Sequence, residues 1–356
     1  MSVPLPLLVG DDRDGRQLWS PYRVPMRSKR TIFGAVGLAA VLTAAGCGSD
    51  NTATTATTPA RASSAPPTTA AVTTTAAPTT VPATTASTAP ATRYYLSLGD
   101  SYASGYQPGG NTTAGFAYQV AADTQGSAHP LELYNVGCAG ATTTSLLKSN
   151  GCPAGALGPG ATPYDTQTQL EAAEAFLRDH PGAVDLITVS IGGNDVTGCA
   201  QDPNVASCVG NAISTINANL PVILQRLRAA AGPNTVIVGT TYPDVLLGSW
   251  VNGGPNGQQL ATASVAAFQS LINPALANAY AGVQGQFVDV TAATGAYGPV
   301  TDLTDVAPYG SIPVPVAQVC ELTHFCDQED IHPNDAGYKV IADLVYAAFV
   351  KAQGGS

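Results

Sequence analysis

The sequence predicts an α/β fold: a three-layer α/β/α sandwich around a central parallel sheet of five strands. Three observations predict it. Five short apolar, β-prone runs recur between residues 93 and 352. Helical patterns lie between them. The runs are nearly continuous in apolar residues rather than alternating, as in strands buried on both faces. Strand and helix in alternation give a parallel sheet covered on both sides.

The elements follow in order. The first strand is YYLSL (94–98), followed by the helical pattern FAYQVAADT (116–124). LELYNV (131–136) is the second strand, and TQLEAAEAFLRD (168–179) the next helix. DLITVSI (185–191) leads into NAISTINANLPVILQRLRAAA (211–231). TVIVGT (235–240) leads into a helical stretch over 257–282, then QFVDV (286–290). A final helix is expected from about Asn334 to Lys351. Pro221 and Pro274 are expected to kink or break their helices, since proline lacks the N–H and crowds the preceding turn. In such sheets, sites form at the carboxyl ends of the strands.

The chain ahead of this domain has a different character. Arg27, Lys29 and Arg30 precede an apolar, Gly/Ala-rich run from Ile32 to Ala45. That run is too short to span a ~30 Å hydrocarbon core comfortably. It reads as a secretory signal over 26–47. Ala44, Ala45 and Gly46 before Cys47 resemble a bacterial lipobox, although Ala44 stands where leucine is usual. The resemblance implies cleavage before Cys47 and a lipid on its sulfur. The alternative is a signal cut nearby that leaves Cys47 free. Lipidation would anchor the chain to a membrane rather than thread it through. Met26 begins a complete signal, so residues 1–25 read as an upstream over-extension. Residues 48–92 are almost all Thr, Ala, Pro and Ser, with too little apolar surface to offset the entropy of ordering them. They read as a disordered tether open to O-glycosylation, reaching roughly 40 Å as a flexible coil. The expected location is exported, either on the outer face of the cell membrane or secreted.

Residues 93–356 carry 20 acidic and 7 basic residues, a balance near −13. No basic patch exists to meet phosphates, which argues against nucleic acid as a partner. Cysteines 138, 152, 199, 208, 320 and 326 fall in three close couples. Export favours oxidation, giving Cys138–Cys152, Cys199–Cys208 and Cys320–Cys326. Zinc ligation is the rival reading, weakened by the absence of C-x-x-C spacing or a neighbouring histidine pair.

Chemistry-bearing residues cluster where the strands end. Ser101 follows the first strand in LSLGDSYASG, where the tripeptide GDS alone would arise by chance in about one such sequence in ten. NVGCAGATT (135–143) follows the second strand, and IGGND (191–195) the third. DIHPNDAGY (330–338) opens the last helix. Four motifs in this order, each at a strand end or helix start, resemble the SGNH, or GDSL-type, hydrolases over essentially all of 93–352. With three local cysteine couples, the chain looks most like secreted actinobacterial esterases and lipases. The resemblance implies the flavodoxin-like fold of that family.

The residues suit ester hydrolysis, which needs a nucleophile, a base and donors for the developing oxyanion. Ser101 supplies the hydroxyl and its own backbone N–H. His332 is the natural base, with Pro333 and Asn334 or Asp335 starting the helix behind it. The resemblance implies that Gly140 adds a backbone N–H and Asn194 a side-chain amide to the oxyanion hole. The family's acid stands three residues before the histidine; here that position is Glu329. Asp330 lies two before and Asp327 five before. Register ranks Glu329 first, residue type ranks Asp330 second, and Asp327 is a distant third; a backbone carbonyl is a further option.

Bland roles stand beside these. Ser101 could merely cap a turn, and Asn194 could close one. Asp100 and Asp195 read as local structural carboxylates. His129 and His180 suit loop roles, and His324 either lines the mouth of the site or is solvated. Tyr102, Tyr106, Tyr242 and Trp250 either wall a pocket or fill core. The reading is therefore an exported serine ester hydrolase, expected as a monomer, with no metal or organic cofactor. Its substrate would be an acyl lipid or short-chain ester. A carbohydrate O-deacetylase of envelope glycans is the runner-up, and a non-catalytic envelope binding protein on the same fold is the rival of another class.

Overall fold

In a computed structural model of the chain, which describes residues 92–354, five parallel strands form one sheet. They are β1 (Tyr94–Gly99), β2 (Glu132–Asn135), β3 (Val184–Ser190), β4 (Val236–Thr240) and β5 (Gln286–Val288). Their spatial order is β2-β1-β3-β4-β5. The sheet therefore reverses direction of growth beside β1, the switch point at which doubly wound sheets open a crevice. The expected signal segment, Cys47 and all but the last residue of the expected Thr/Ala/Pro-rich tether lie outside the described residues.

Side chains alternate across the strands and divide the core in two. Leu96, Leu98, Ile187, Val189 and Ile237 face one side with α2 (Gln169–Asp179), α3 (Val205–Ala231) and α5 (Asn273–Ala281). Tyr95, Leu186 and Val238 face the other, against α1 (Phe116–Thr124) and α6 (Asp335–Ala352). The ends of several helices are set by the sequence. Thr168 and Glu171 form a reciprocal capping box at the start of α2. Asn334 caps α6 by accepting the Gly337 N–H at 3.0 Å.

The helical stretch over 257–282 is interrupted just ahead of Pro274, as expected, whereas Pro221 departs from expectation. Pro221 sits inside an unbroken α3, which begins at Val205 rather than at 211. Leu220, Ile223, Leu224 and Leu227 on that helix are fully buried against the sheet, and this burial outweighs the missing hydrogen bond. Pro274 lies at the start of α5, and the π-helical turn Phe268–Ile272 joins α5 to α4 (Gly254–Ala267). A hairpin (Leu303–Val306 with Gly310–Pro313) and the helix Val314–Leu322 were not legible as elements. With α4 they build a satellite core around Leu247, Ile312, Val316 and Val319.

The six domain cysteines form the disulfides Cys138–Cys152, Cys199–Cys208 and Cys320–Cys326. With both thiols of each couple consumed, none of these six cysteines is a zinc ligand. Each bridge staples a loop next to one of the motif segments.

Candidate active site

Ser101 opens a single helical turn, Ser101–Ser104, immediately after β1. Gly99 makes the turn possible. Its φ is +138°, and a Cβ there would fall 2.0 Å from the Ser190 carbonyl oxygen of the neighbouring strand. Gln169 clamps the same residue: its Oε1 accepts the Gly99 N–H at 2.8 Å, and its Nε2 donates to the Gly99 carbonyl at 2.9 Å. Asp100 caps the turn, Oδ1 accepting the Tyr102 N–H at 3.0 Å. The turn stops at Gly105, in the left-handed region at φ +81°. Ser101 is 6% exposed, with its N–H in the first position of the turn.

The other motif segments gather around it. Asn135 at the end of β2 donates to the Ala103 carbonyl at 2.8 Å and accepts the Gly137 N–H at 2.8 Å. This holds the following loop against the Ser101 turn. Gly140 forms the apex of that loop at φ +84°, exposed and with open space where a Cβ would stand. Asn194 lies in the short helix after β3 and donates one amide N–H to the Ala141 carbonyl at 2.9 Å. That bond joins the Gly140 and Asn194 segments and leaves the amide a second N–H. Asp195 faces away to accept the Thr143 N–H (2.9 Å) and hydroxyl (2.6 Å), a structural role.

His332 hangs from the segment between the Cys320–Cys326 bridge and α6. The His324 N–H donates to its carbonyl at 3.0 Å, and Tyr102 donates to the Ile331 carbonyl at 2.7 Å. Its ring packs against Tyr106 (4.7 Å between centroids) and Tyr102 (5.9 Å). The Nδ1 proton goes to Asp330 Oδ1 at 2.7 Å, and the same oxygen accepts the His332 backbone N–H at 2.9 Å. Nε2 is buried and finds no hydrogen-bond partner among the described residues.

Here the register-based ranking is corrected. Asp330, not Glu329, meets the imidazole. Glu329 ends the short helix Phe325–Gln328 in the left-handed region at φ +55°, and it is exposed. That turn carries the next residue inward, where the short Asp side chain closes an Asx-type turn onto residue 332. Asp327 is exposed as well. Burial pushes the Asp330 carboxyl up, but the hydrogen bonds and charge of His332, with His324 beyond, hold it below its ordinary value.

Two residues of the site were missed or undervalued in the sequence. Gln169 reads only as an early residue of α2, though the capping box at Thr168 would have placed it at the rim. Tyr242, just past β4, is buried and bonded to both Asp100 and Gly193. Burial raises the Asp100 carboxyl to about 6, against the downward pull of Tyr242, the Tyr102 N–H and His332. Trp250 packs on the satellite core, and His180, just past the end of α2, donates from Nδ1 to the Phe176 carbonyl at 2.9 Å.

Residues 97–340 match the profile of the GDSL-like Lipase/Acylhydrolase family. Solved structures similar to this chain include phospholipase A1 from Streptomyces albidoflavus NA297, at 21% identity and TM-score 0.45, covering 72% of this chain and all (100%) of that one. They include Axe2, an acetylxylan esterase from Geobacillus stearothermophilus, at 16% identity and TM-score 0.42, covering 74% and 95%. The psychrotrophic esterase EstA from Pseudoalteromonas sp. follows at 14% identity and TM-score 0.39, covering 74% and 100%. No curated protein matches the sequence. The profile spans more than half of the chain and contains every motif segment described above, and on that basis the chain belongs to the GDSL-like lipase/acylhydrolase family.

Proposed function

We propose that this protein is an exported serine hydrolase that cleaves carboxylic esters through an acyl-enzyme on Ser101. The observation that carries the reading is the imidazole of His332. One nitrogen is committed to Asp330, and the other is buried, unpartnered and next to the Ser101 turn. Such a nitrogen is an acceptor for a serine proton. In the proposed cycle, Ser101 Oγ attacks the ester carbonyl while His332 Nε2 takes its proton. The Ser101 and Gly140 N–H groups and the free Asn194 amide N–H receive the oxyanion, each such donor typically worth ~2.7–4 kcal/mol. Collapse expels the alcohol, which takes the proton from His332. Water then repeats the sequence on the acyl-enzyme and frees the acid. Asp330 stays ionised and steadies the imidazolium.

An acyl lipid or short-chain ester is the first-ranked substrate. One observation favours the second reading, deacetylation of a glycan. An open cleft of about 330 Å³ lies beside the Cys199–Cys208 loop, reached from Asn194 through the adjoining Asp195, and is lined by Asp195, Asp202, Asn204, Ser207, Asn211 and Thr215. Acidic and amide acceptors without a cationic side chain suit hydroxyl donors better than an acyl tail. The test is labelling with a fluorophosphonate probe, followed by a panel of p-nitrophenyl esters and acetylated sugars. Stoichiometric labelling that Ser101→Ala abolishes is expected. Folded wild type that does not label would sink the reading, and the binding-protein alternative would then stand. The panel ranks acyl ester against acetylated sugar by kcat/KM.

Export and a lipid on Cys47 complete the proposal, supported by the basic and apolar pattern of 26–47. Mass measurement of the membrane-extracted chain is expected to start at a diacylglyceryl Cys47; an unmodified Cys47 in the mature chain refutes the anchor.

A further inference from the structure

Tyr242 stands two residues beyond β4, on a strand that carries none of the four motifs. Its phenol is buried and makes two bonds. The O–H donates to Asp100 Oδ2 at 2.6 Å, and the oxygen accepts the Gly193 N–H at 3.1 Å. Asp100 is the cap of the Ser101 turn, and Gly193 immediately precedes Asn194. The ring is fitted closely to this place. A Cβ on Gly193 would meet Tyr242 Cζ at 2.9 Å, and the ring lies edge-on to Tyr102 with centroids 4.9 Å apart. Tyr102 in turn holds the Ile331 carbonyl, next to His332. The Tyr242 carbonyl is itself fixed, accepting from Thr291 at 2.8 Å.

We propose that Tyr242 is a positioning residue for ester cleavage: one phenol locks the turn carrying the nucleophile to the turn carrying the oxyanion amide. The proposal rests on the reading of Ser101 and Asn194 given above. A donor pair that reads the same oxygen must be held to a fraction of an ångström relative to the nucleophile. The two turns belong to neighbouring strands and have no other direct side-chain link through Asp100 among the described residues. An ionised Asp100 polarises the phenol and makes its oxygen a better acceptor for Gly193. Charged or titratable groups facing Asp100 are Tyr102, Tyr242, His332 and Asp195, with Tyr280 and Tyr338 further out. Tyr242→Phe keeps the ring and its packing while removing both bonds.

The experiment compares wild type, Tyr242→Phe, Asn194→Ala and the double variant, all as the full chain, on a short p-nitrophenyl ester. Amide exchange over 191–195 is followed in parallel. Tyr242→Phe is expected to lower kcat by about 10- to 100-fold with KM within about twofold. Exchange at Gly193 is expected to rise while exchange in β3 stays slow. In the double variant the losses are expected to combine to less than their product, because both act on the same amide. Asp100→Asn keeps the cap on Tyr102 and serves where Tyr242→Phe is poorly folded, with the same kcat-only loss at smaller size. Wild-type kcat in folded Tyr242→Phe, or fully multiplicative losses, overturns the proposal. A wild type that neither turns over esters nor labels refutes the ester-hydrolase reading itself.

Discussion

His332→Ala is expected to reduce ester turnover by a factor on the order of 10⁶, leaving only the roughly 10³–10⁴-fold acceleration over water that the oxyanion donors and binding supply. The size follows from the burial of Nε2. A serine hydroxyl is a weak nucleophile at neutral pH until a base takes its proton. At this site the base nitrogen is buried, on a ring packed against Tyr102 and Tyr106. Water cannot replace it without an ordered path. The backbone around the residue is held independently of the ring, by His324 N–H on the His332 carbonyl and by Asp330 on the His332 N–H. The variant is therefore expected to fold with a Tm close to wild type, and Ser101→Ala combined with it to be no worse than either alone. Single-turnover and steady-state rates on one p-nitrophenyl ester check this. More than about one per cent residual kcat in His332→Ala would mean that another group accepts the proton.

The fold was legible because its signal is periodic and redundant. The inner strands β1, β3 and β4 are buried along most of their length and the edge strands β2 and β5 are largely half-buried, yet each run is short, apolar and bounded by polar turns, so each reads as strand without reference to the others. Their alternation with helices then fixes a parallel sheet. Pro221 was misread because local propensity points one way and the four leucine and isoleucine side chains beside it the other; burial of that face decides. The hairpin at 303–313 was invisible because it buries only one side against a satellite core and is interrupted by prolines. Ser101, Gly140, Asn194 and His332 could be named because each sits at a strand end or helix start with a motif around it. The roles of Tyr242 and Gln169 could not. Their roles are contacts across the sheet, with Asp100 142 residues away and Gly99 70 residues away. A one-dimensional reading sees an aromatic after a strand and a polar residue in a helix.

The same limit explains the acid, where a large effect separates two neighbours in sequence. Asp330→Ala is expected to lower kcat by roughly 10³- to 10⁴-fold, and Glu329→Ala by less than about twofold. Losing the orienting carboxylate in a serine triad costs about that much even when the geometry is kept. Asp330 does two things with one oxygen. It fixes the imidazole tautomer by taking the Nδ1 proton, and it fixes the peptide by taking the His332 N–H. Alanine removes both, so the ring can rotate and the wrong nitrogen can carry the proton. Asp330→Asn separates the two functions: its carbonyl oxygen can still accept the backbone N–H, while the charge that steadies the imidazolium is gone. It is expected to fall as far as Asp330→Ala in kcat but to keep a wild-type Tm. Glu329 enters only through its backbone, in the left-handed turn that delivers Asp330. Glu329→Gly, which adopts that conformation without a Cβ penalty, is therefore expected to keep full activity. The side chain three residues before the histidine is then dispensable here, and the turn it terminates is not. A loss in Glu329→Ala comparable to that in Asp330→Ala would reverse the assignment.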